Sequence, residues 1–154
     1  MKLAEALVER KALNTKIGEL AERMRANVLV QEGDAPSEPV EALRAEHEQA
    51  IAQLAALIKT INRTNVATRL EDGQTIAEAI TDRDMLQLRH RALDNAVDAT
   101  MSRMPNRYAR AELRTLVTVD VPALRRAVDA LARQMRELDV RIQAANWATD
   151  VMEA

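Results

Sequence analysis

The two histidines are the residues whose placement most directly suggests a chemical site. His47 and His90 each stand where the heptad pattern of the segment calls for an apolar residue. If these segments are helices that fold back through a turn at 64–74, a rise of about 1.5 Å per residue brings both imidazoles to a similar height. Such a pair could belong to a metal or proton-transfer site, or form a neutral polar layer that fixes helix register.

The neighbouring carboxylates favour the polar layer over a metal site. A zinc site needs three or four protein ligands. Glu46 and Glu48 flank His47, but each points about 100° away from it around a helix. We therefore expect His47 and His90 to form a buried polar layer without metal, and we expect no cofactor.

Arg10 and Arg83 also stand at heptad positions that call for an apolar residue. The same counting of the rise per residue places both near one end of a bundle. That end also receives the polar 62–73 segment and, in an up-down arrangement, the end of the fourth helix. The side chains predicted to gather there are Arg10, Asn62, Arg63, Asn65, Arg69, Glu71, Asp72, Arg83, Asn146 and Trp147.

This set of residues has two interpretations. Arginine presents a planar fork of donors that suits small anions, and the amino end of the third helix adds free amides and a positive dipole. The alternative is an ordinary hydrogen-bonded bundle end whose arginines extend into solvent. Loops between long helices are usually polar, which favours the second interpretation.

Four heptad-patterned helices must position these residues. The pattern predicts them at about 3–28, 37–63, 75–104 and 120–147. The signals at their ends are Ser37 as an N-cap, a capping box formed by Thr75 and Glu78, Pro105 as a stop, and Asp120 as a cap. The short β-branched run at 116–119 predicts one possible strand.

The first and second helices show the pattern clearly. Steps of three and four residues place apolar side chains on one stripe, which we call the seam of each helix. The predicted seam residues are Leu3, Ala6, Leu13, Ile17, Leu20 and Met24, followed by Val40, Leu43, Ala50, Leu54, Leu57 and Ile61.

Together these elements predict an all-α protein with a single helical domain at 1–154. Four helices of similar length with modest loops favour an antiparallel, up-down-up-down bundle. The rival arrangement is a rod-like pair of helical hairpins that completes its core by dimerising. The sequence alone does not separate the two.

Composition narrows the classes of function. Among 154 residues, 47% are apolar, but the chain has no Phe, one Tyr and one Trp, which is typical of long helices meeting along narrow seams. The net charge is −2 without a basic face, so we expect no nucleic-acid binding. With no Cys and no long apolar run, we expect a cytoplasmic protein that does not bind membranes.

Motifs of known helical enzymes are missing from the sequence. A di-iron bundle needs two Glu-x-x-His pairs, but Arg44 precedes His47 by three residues and Gln87 precedes His90 by three. The Glu-x-x-Asp that would complete a magnesium site of a nucleotide pyrophosphohydrolase is also missing. No phosphate-binding loop or nucleophile elbow is present.

Several short segments nevertheless look like those of a known family. They are Gln31–Asp34, Ile61–Asn65, Thr68–Gly73, Arg107–Arg110, Thr118–Val121 and Glu137–Trp147. Together they resemble small bacterial proteins often labelled septicolysin-like, and the resemblance covers nearly the whole chain. It implies an oxygen-labile cytolysin, with no catalytic residue to carry over.

Three functions follow from these observations. The first is a non-enzymatic protein that forms homo-oligomers through 116–119 or through the side of the bundle. The second is a small-ligand or enzymatic site at the Arg/Asn-rich end. The third is the membrane-active role that the resemblance implies.

Overall fold

The computed structural model of the protein contains four long α-helices. They are α1 (Leu3–Asn27), α2 (Val40–Ala67), α3 (Ile76–Met101) and α4 (Val121–Ala148). The structure describes residues 1–101 and 116–152. Within these ranges two isolated backbone bridges, Lys2 with Asp150 and Arg69 with Thr75, are the only β-type pairing. The prediction of an all-α fold is confirmed.

The bounds of α2 differ most from the predicted ones. The helix begins at Val40, three residues later than expected, because the Ser37 hydroxyl donates to Asn27 Oδ1 (3.0 Å) instead of capping α2. It continues to Ala67 instead of ending at 63. Thr64 does not end the helix because its hydroxyl donates to the Thr60 carbonyl (2.9 Å), which satisfies it inside the helix.

The region before α4 holds one predicted feature and lacks another. Asp120 caps the helix as predicted, since its Oδ1 accepts from the Ala123 amide (3.0 Å). The predicted strand at 116–119 is not formed, and these residues are irregular. The predicted end of α3 at 104, with Pro105, lies outside the described residues.

The chain divides into two compact units, and the single helical domain at 1–154 stays a prediction. The first unit comprises Met1–Ala77 with Gln143–Ala154, and the second comprises Glu78–Ile142. In the first unit α1 and α2 pack as an antiparallel hairpin. The ion pair of Lys16 with Glu46 (2.7 Å) joins the two helices, and that of Arg23 with Glu38 joins α1 to the segment just before α2.

The seams of α1 and α2 follow the predicted pattern. The buried members are Leu3, Ala6, Leu20, Leu43, Ala50 and Ile61. The other apolar seam residues, such as Leu13, Ile17 and Leu54, are half-buried. Full burial of a Leu or Ile side chain contributes about 1.5–3 kcal/mol, so each buried Leu or Ile of the seam stabilises this unit by roughly that amount.

Asn27 organises the turn between α1 and α2. It lies one step beyond Met24 on the seam and is buried. Its Nδ2 donates to the Arg23 carbonyl (2.9 Å), and its Oδ1 accepts from the Ser37 hydroxyl and from the Glu38 amide (both 3.0 Å). One buried side chain thus fixes the chain that enters α2. Arg23 holds Glu38 beside it and lowers the pKa of that carboxyl.

The two termini of the chain are tied together in the first unit. The Leu3 amide donates to the Thr149 carbonyl (2.9 Å) and the Val151 amide to the Met1 carbonyl (3.0 Å). Lys2 Nζ contacts Asp150 Oδ2 (2.9 Å), and its hydrogen bond lowers the pKa of Asp150. Finally, the Met152 amide donates to Oγ1 of Thr64, a fully buried residue of α2 (3.0 Å). These bonds bring the start of α1, the end of α2 and the end of α4 together.

In the second unit α3 and α4 form another antiparallel hairpin. Arg83 Nη1 contacts Asp139 Oδ1 (3.5 Å), and Arg125 donates to the sulfur of Met101 (2.9 Å). Ala79, Val97 and Ile142 are buried. The other seam residues of this hairpin are half-buried, among them Leu86, Leu93, Val128, Leu131, Met135 and Leu138.

Replacing Asn27 by Ala should destabilise the first unit. The change leaves the Glu38 amide, in a half-buried residue, without its acceptor, whereas the hydroxyl of the exposed Ser37 can bond to water. We expect a loss toward the lower end of the about 1–3 kcal/mol that an unsatisfied buried group costs. Urea denaturation measures this loss. Asn14→Ala is the matched control, since Asn14 makes the same bond to a carbonyl four residues earlier (2.8 Å) but is exposed. Equal effects of both substitutions would contradict the role of Asn27.

Replacing Thr64 by Val should release the C-terminal segment. Valine keeps the shape of threonine but removes the acceptor of the Met152 amide and the donor to Thr60. We expect the Met152 amide to exchange its hydrogen faster and the free energy of unfolding to fall by about 1 kcal/mol. Thr15→Val is the control, because Thr15 also bonds to a carbonyl four residues earlier (3.2 Å) but is exposed. Unchanged exchange at Met152 would refute the anchoring role.

Candidate functional site

The first unit contains nine of the ten residues predicted for the polar end. They are Arg10, Asn62, Arg63, Asn65, Arg69, Glu71, Asp72, Asn146 and Trp147. Three of them, Asn62, Arg63 and Asn65, lie on the last turns of α2 and not in a loop. Arg83 belongs to the second unit.

The short connection between α2 and α3 is closed by its own hydrogen bonds. The Leu70 amide donates to the Gln74 carbonyl (2.7 Å), and the Gly73 amide to the Leu70 carbonyl (2.9 Å). Gly73 has a φ of 86°, a conformation that glycine adopts without strain. Arg69 also donates to the Gly73 carbonyl (2.6 Å). The guanidinium of Arg69 therefore helps to hold the turn.

The remaining residues of this end have different environments. Asp72 Oδ1 accepts from the Gln74 amide (3.1 Å), and Arg63 donates to the Thr60 hydroxyl (3.3 Å). Asn146 is buried, whereas Trp147 is 61% exposed. The residues of the predicted set thus serve as turn formers, a buried polar residue and exposed side chains.

Asn65 has an unusual environment. Its Oδ1 is buried and has no hydrogen-bond partner. A buried acceptor without a partner is costly, and it favours a donor, such as an N–H group, over an anion. This atom does not support the expected anionic ligand, whose binding at this end stays a prediction.

The two seam arginines also have different environments. Arg83 contacts Asp84 Oδ1 (2.8 Å) and Asp139, and these carboxylates raise its pKa. Its position on the seam is therefore explained by ion pairs with α4 and with its own neighbour. Arg10 is exposed. Their meeting at one level stays a prediction, since they belong to different units.

The histidines likewise belong to different units, His47 to the first and His90 to the second. Each is half-buried. The seam residues on either side of His47, Leu43 and Ala50, are buried, whereas Leu86 and Leu93 beside His90 are half-buried. The predicted polar layer between them stays a prediction. Within residues 1–101 and 116–152, no three His, Asp or Glu side chains come close enough together to hold a metal ion.

The second unit presents an exposed apolar surface that was not predicted from the sequence. Met85, Leu88, Ala92, Ala96 and Ala99 are spaced by three or four residues along α3, and all five are exposed. At about 100° per residue, this stripe lies about 145° around α3 from the seam. We call it the outer stripe of α3. Met85 is 43% exposed and Leu88 is 54% exposed.

The partner helix in the same hairpin has a different outer surface. On α4 the exposed positions include Arg125, Asp129, Arg133 and Arg136, with Val140 in line with them and the small Ala130 beside them. A charged outer surface is the ordinary state of a helix facing water. The helix α3 departs from this rule because it is apolar on two nearly opposite sides.

The spacing of the outer stripe was visible in the sequence. The seam of α3, from Ile76 to Val97, accounts for one set of three- and four-residue steps, and the stripe forms a second set in the same helix. Because alanine is common on any helix surface, the stripe is noticeable only when Met85 and Leu88 are shown to be exposed.

Two comparisons relate the chain to known proteins, and a third does not. A conserved protein of unknown function from Corynebacterium diphtheriae, solved by crystallography, is 35% identical, with 99% of each chain covered and a TM-score of 0.91. No curated protein matches the chain.

Within the described residues, no helix has an apolar stretch that would let it cross a membrane.

The comparisons correct the predicted resemblance. A model of a family of unknown function, DUF6847, matches residues 10–151, and neither match points to septicolysin-like proteins. Every segment that carried the resemblance lies inside the matched range. The resemblance was wrong, and the cytolysin role loses its basis. The chain belongs to the DUF6847 family of unknown function.

Proposed function

We propose that the protein is a cytoplasmic, non-enzymatic helical protein that associates with copies of itself through the second unit. The observation that carries this proposal is the outer stripe of α3, five exposed apolar residues in a row on one side of a helix. Scattered apolar residues are normal on a protein surface, but contiguous patches mark sites of association.

The contrast between the two helices of one hairpin supports this proposal. Solvent contact alone would place charges along the outer sides of both α3 and α4. On α4 they lie there, whereas the exposed charges of α3, such as Arg89 and Arg91, lie beside the outer stripe and not within it. Covering Leu88 and Met85 removes apolar surface from water, and that gain does not depend on a specific polar partner. A second copy of the chain offers the same apolar stripe.

The size of the stripe indicates how strong the association is. From Met85 to Ala99 the stripe extends about 21 Å along the helix. Three of its five residues are alanines, which bury little area each. An interface built on it lies at the low end of the size range of specific contacts. We therefore expect a dimer that forms at tens to hundreds of micromolar.

The segment at 116–119 offers a different route to association, and the structure gives it less support. Leu116 is 76% exposed and Val119 is 51% exposed. Residues 116–119 form no strand, so they present no regular edge with which a copy could pair. The side of the helical hairpin is the better candidate surface.

Sedimentation velocity tests the proposal with one charge substitution and its control. The apparent mass of the wild type should rise between about 10 and 500 μM, since an interface of this size is weak. Leu88→Glu should keep the chain monomeric across that range, because it introduces two like charges into the contact. Val140→Glu is the matched control, an exposed apolar residue on the outer side of α4.

Either of two results would contradict the proposal. The first is a wild type that remains monomeric at the highest concentration. The second is a Val140→Glu variant whose association is weakened as much as that of Leu88→Glu. Far-ultraviolet circular dichroism checks that both variants keep their helices, which we expect because both positions are exposed.

A further inference from the structure

We infer that the two copies meet through α3 against α3 in antiparallel orientation, around a two-fold axis that passes near Ala92. This inference rests on the proposed self-association and adds its surface and orientation. The large side chains of the outer stripe, Met85 and Leu88, lie toward the amino end of α3. The small ones, Ala96 and Ala99, lie toward the carboxyl end.

This uneven distribution of sizes distinguishes the two possible orientations. In a parallel pair, Leu88 would face Leu88 and Ala99 would face Ala99. The helices would then be held apart at one end and leave a gap at the other, where the packing contacts are lost. In an antiparallel pair, each large side chain faces a small one, so the helices can lie at one distance along the whole stripe. Because every pair of facing residues includes an alanine, the distance between the two helix axes falls near the short end of the usual 8–10 Å.

The spacing of the stripe also fits a two-fold axis. In a symmetric dimer, if one residue contacts a second residue of the partner, the second contacts the first in return. Met85 and Ala99 lie seven residues to either side of Ala92, and Leu88 and Ala96 lie four residues to either side. One axis near Ala92 therefore pairs all five residues, each large side chain with an alanine.

The remaining exposed surface of the hairpin favours this contact over one through α4. The outer side of α4 carries three arginines, Arg125, Arg133 and Arg136, and one aspartate, Asp129. Pairing it with itself would therefore bring an excess of like charge together. The outer stripe contains no charged residue. Antiparallel helices also place opposite ends of their dipoles side by side, a small favourable effect.

Single cysteines test the geometry directly, because the natural chain contains none. Ala92→Cys, near the axis, should give a covalent dimer in high yield with a short bismaleimide cross-linker. Ala99→Cys should give little, since an antiparallel pair holds the two sulfurs about 20 Å apart. Ala130→Cys is the control for random collision, because Ala130 is exposed on α4.

A mixture of two variants gives a second, independent measurement. Leu88→Cys and Ala96→Cys copies, one carrying a size tag, should cross-link to each other more readily than either does to itself. In the antiparallel pair these two positions face one another, whereas copies of the same position lie about 12 Å apart. A parallel pair gives the opposite preference.

The results separate failure of the inference from failure of the proposed function. A wild-type dimer with equal cross-linking of Ala92→Cys and Ala99→Cys overturns the antiparallel geometry and leaves self-association standing. A dimer in which Ala92→Cys cross-links no better than Ala130→Cys places the contact elsewhere and also overturns the inference. A wild type that sediments as a monomer removes both. Circular dichroism of each variant verifies that its helices are intact.

Discussion

When only two helices pack together, each covers the apolar residues of the other from one side only. Most features of this protein follow from that constraint. In each hairpin the seam follows the heptad pattern, but residues such as Leu54 in the first unit and Leu131 in the second remain half-buried. Buried positions occur chiefly where further chain segments are near, as at Ile61. Residues 1–101 and 116–152 therefore enclose only a small apolar interior.

Polar contacts supply order where the apolar seam is narrow. Asn27 fixes the first turn through three hydrogen bonds, and Thr64 links α2 to the C-terminal segment. Arg83 is held by aspartates on both α3 and α4. These side chains are polar residues at seam positions, so their interruption of the heptad pattern serves the fold. The two ion pairs thus give Arg83 a structural role, although the sequence suggested it as part of a ligand site.

The outer stripe of α3 is a surface that the fold itself does not explain. A charged outer side, as on α4, would serve a solvent-facing helix better. Membership of the DUF6847 family gives no activity to assign, so a function must be argued from such surfaces. Self-association through a stripe of mixed large and small residues gives Met85 and Leu88 a role without requiring chemistry from the polar end.

The sequence by itself determined the helices and their seams, because heptad spacing is a local property that a short window displays. It placed Leu20, Leu43 and Ile61 in the core, and it identified the Asp120 cap from side-chain type alone. Only the tertiary structure decided where α2 begins, since Ser37 bonds to Asn27, ten residues away. It also decided which apolar residues stay exposed, because exposure depends on what the rest of the chain covers, and no local pattern records that.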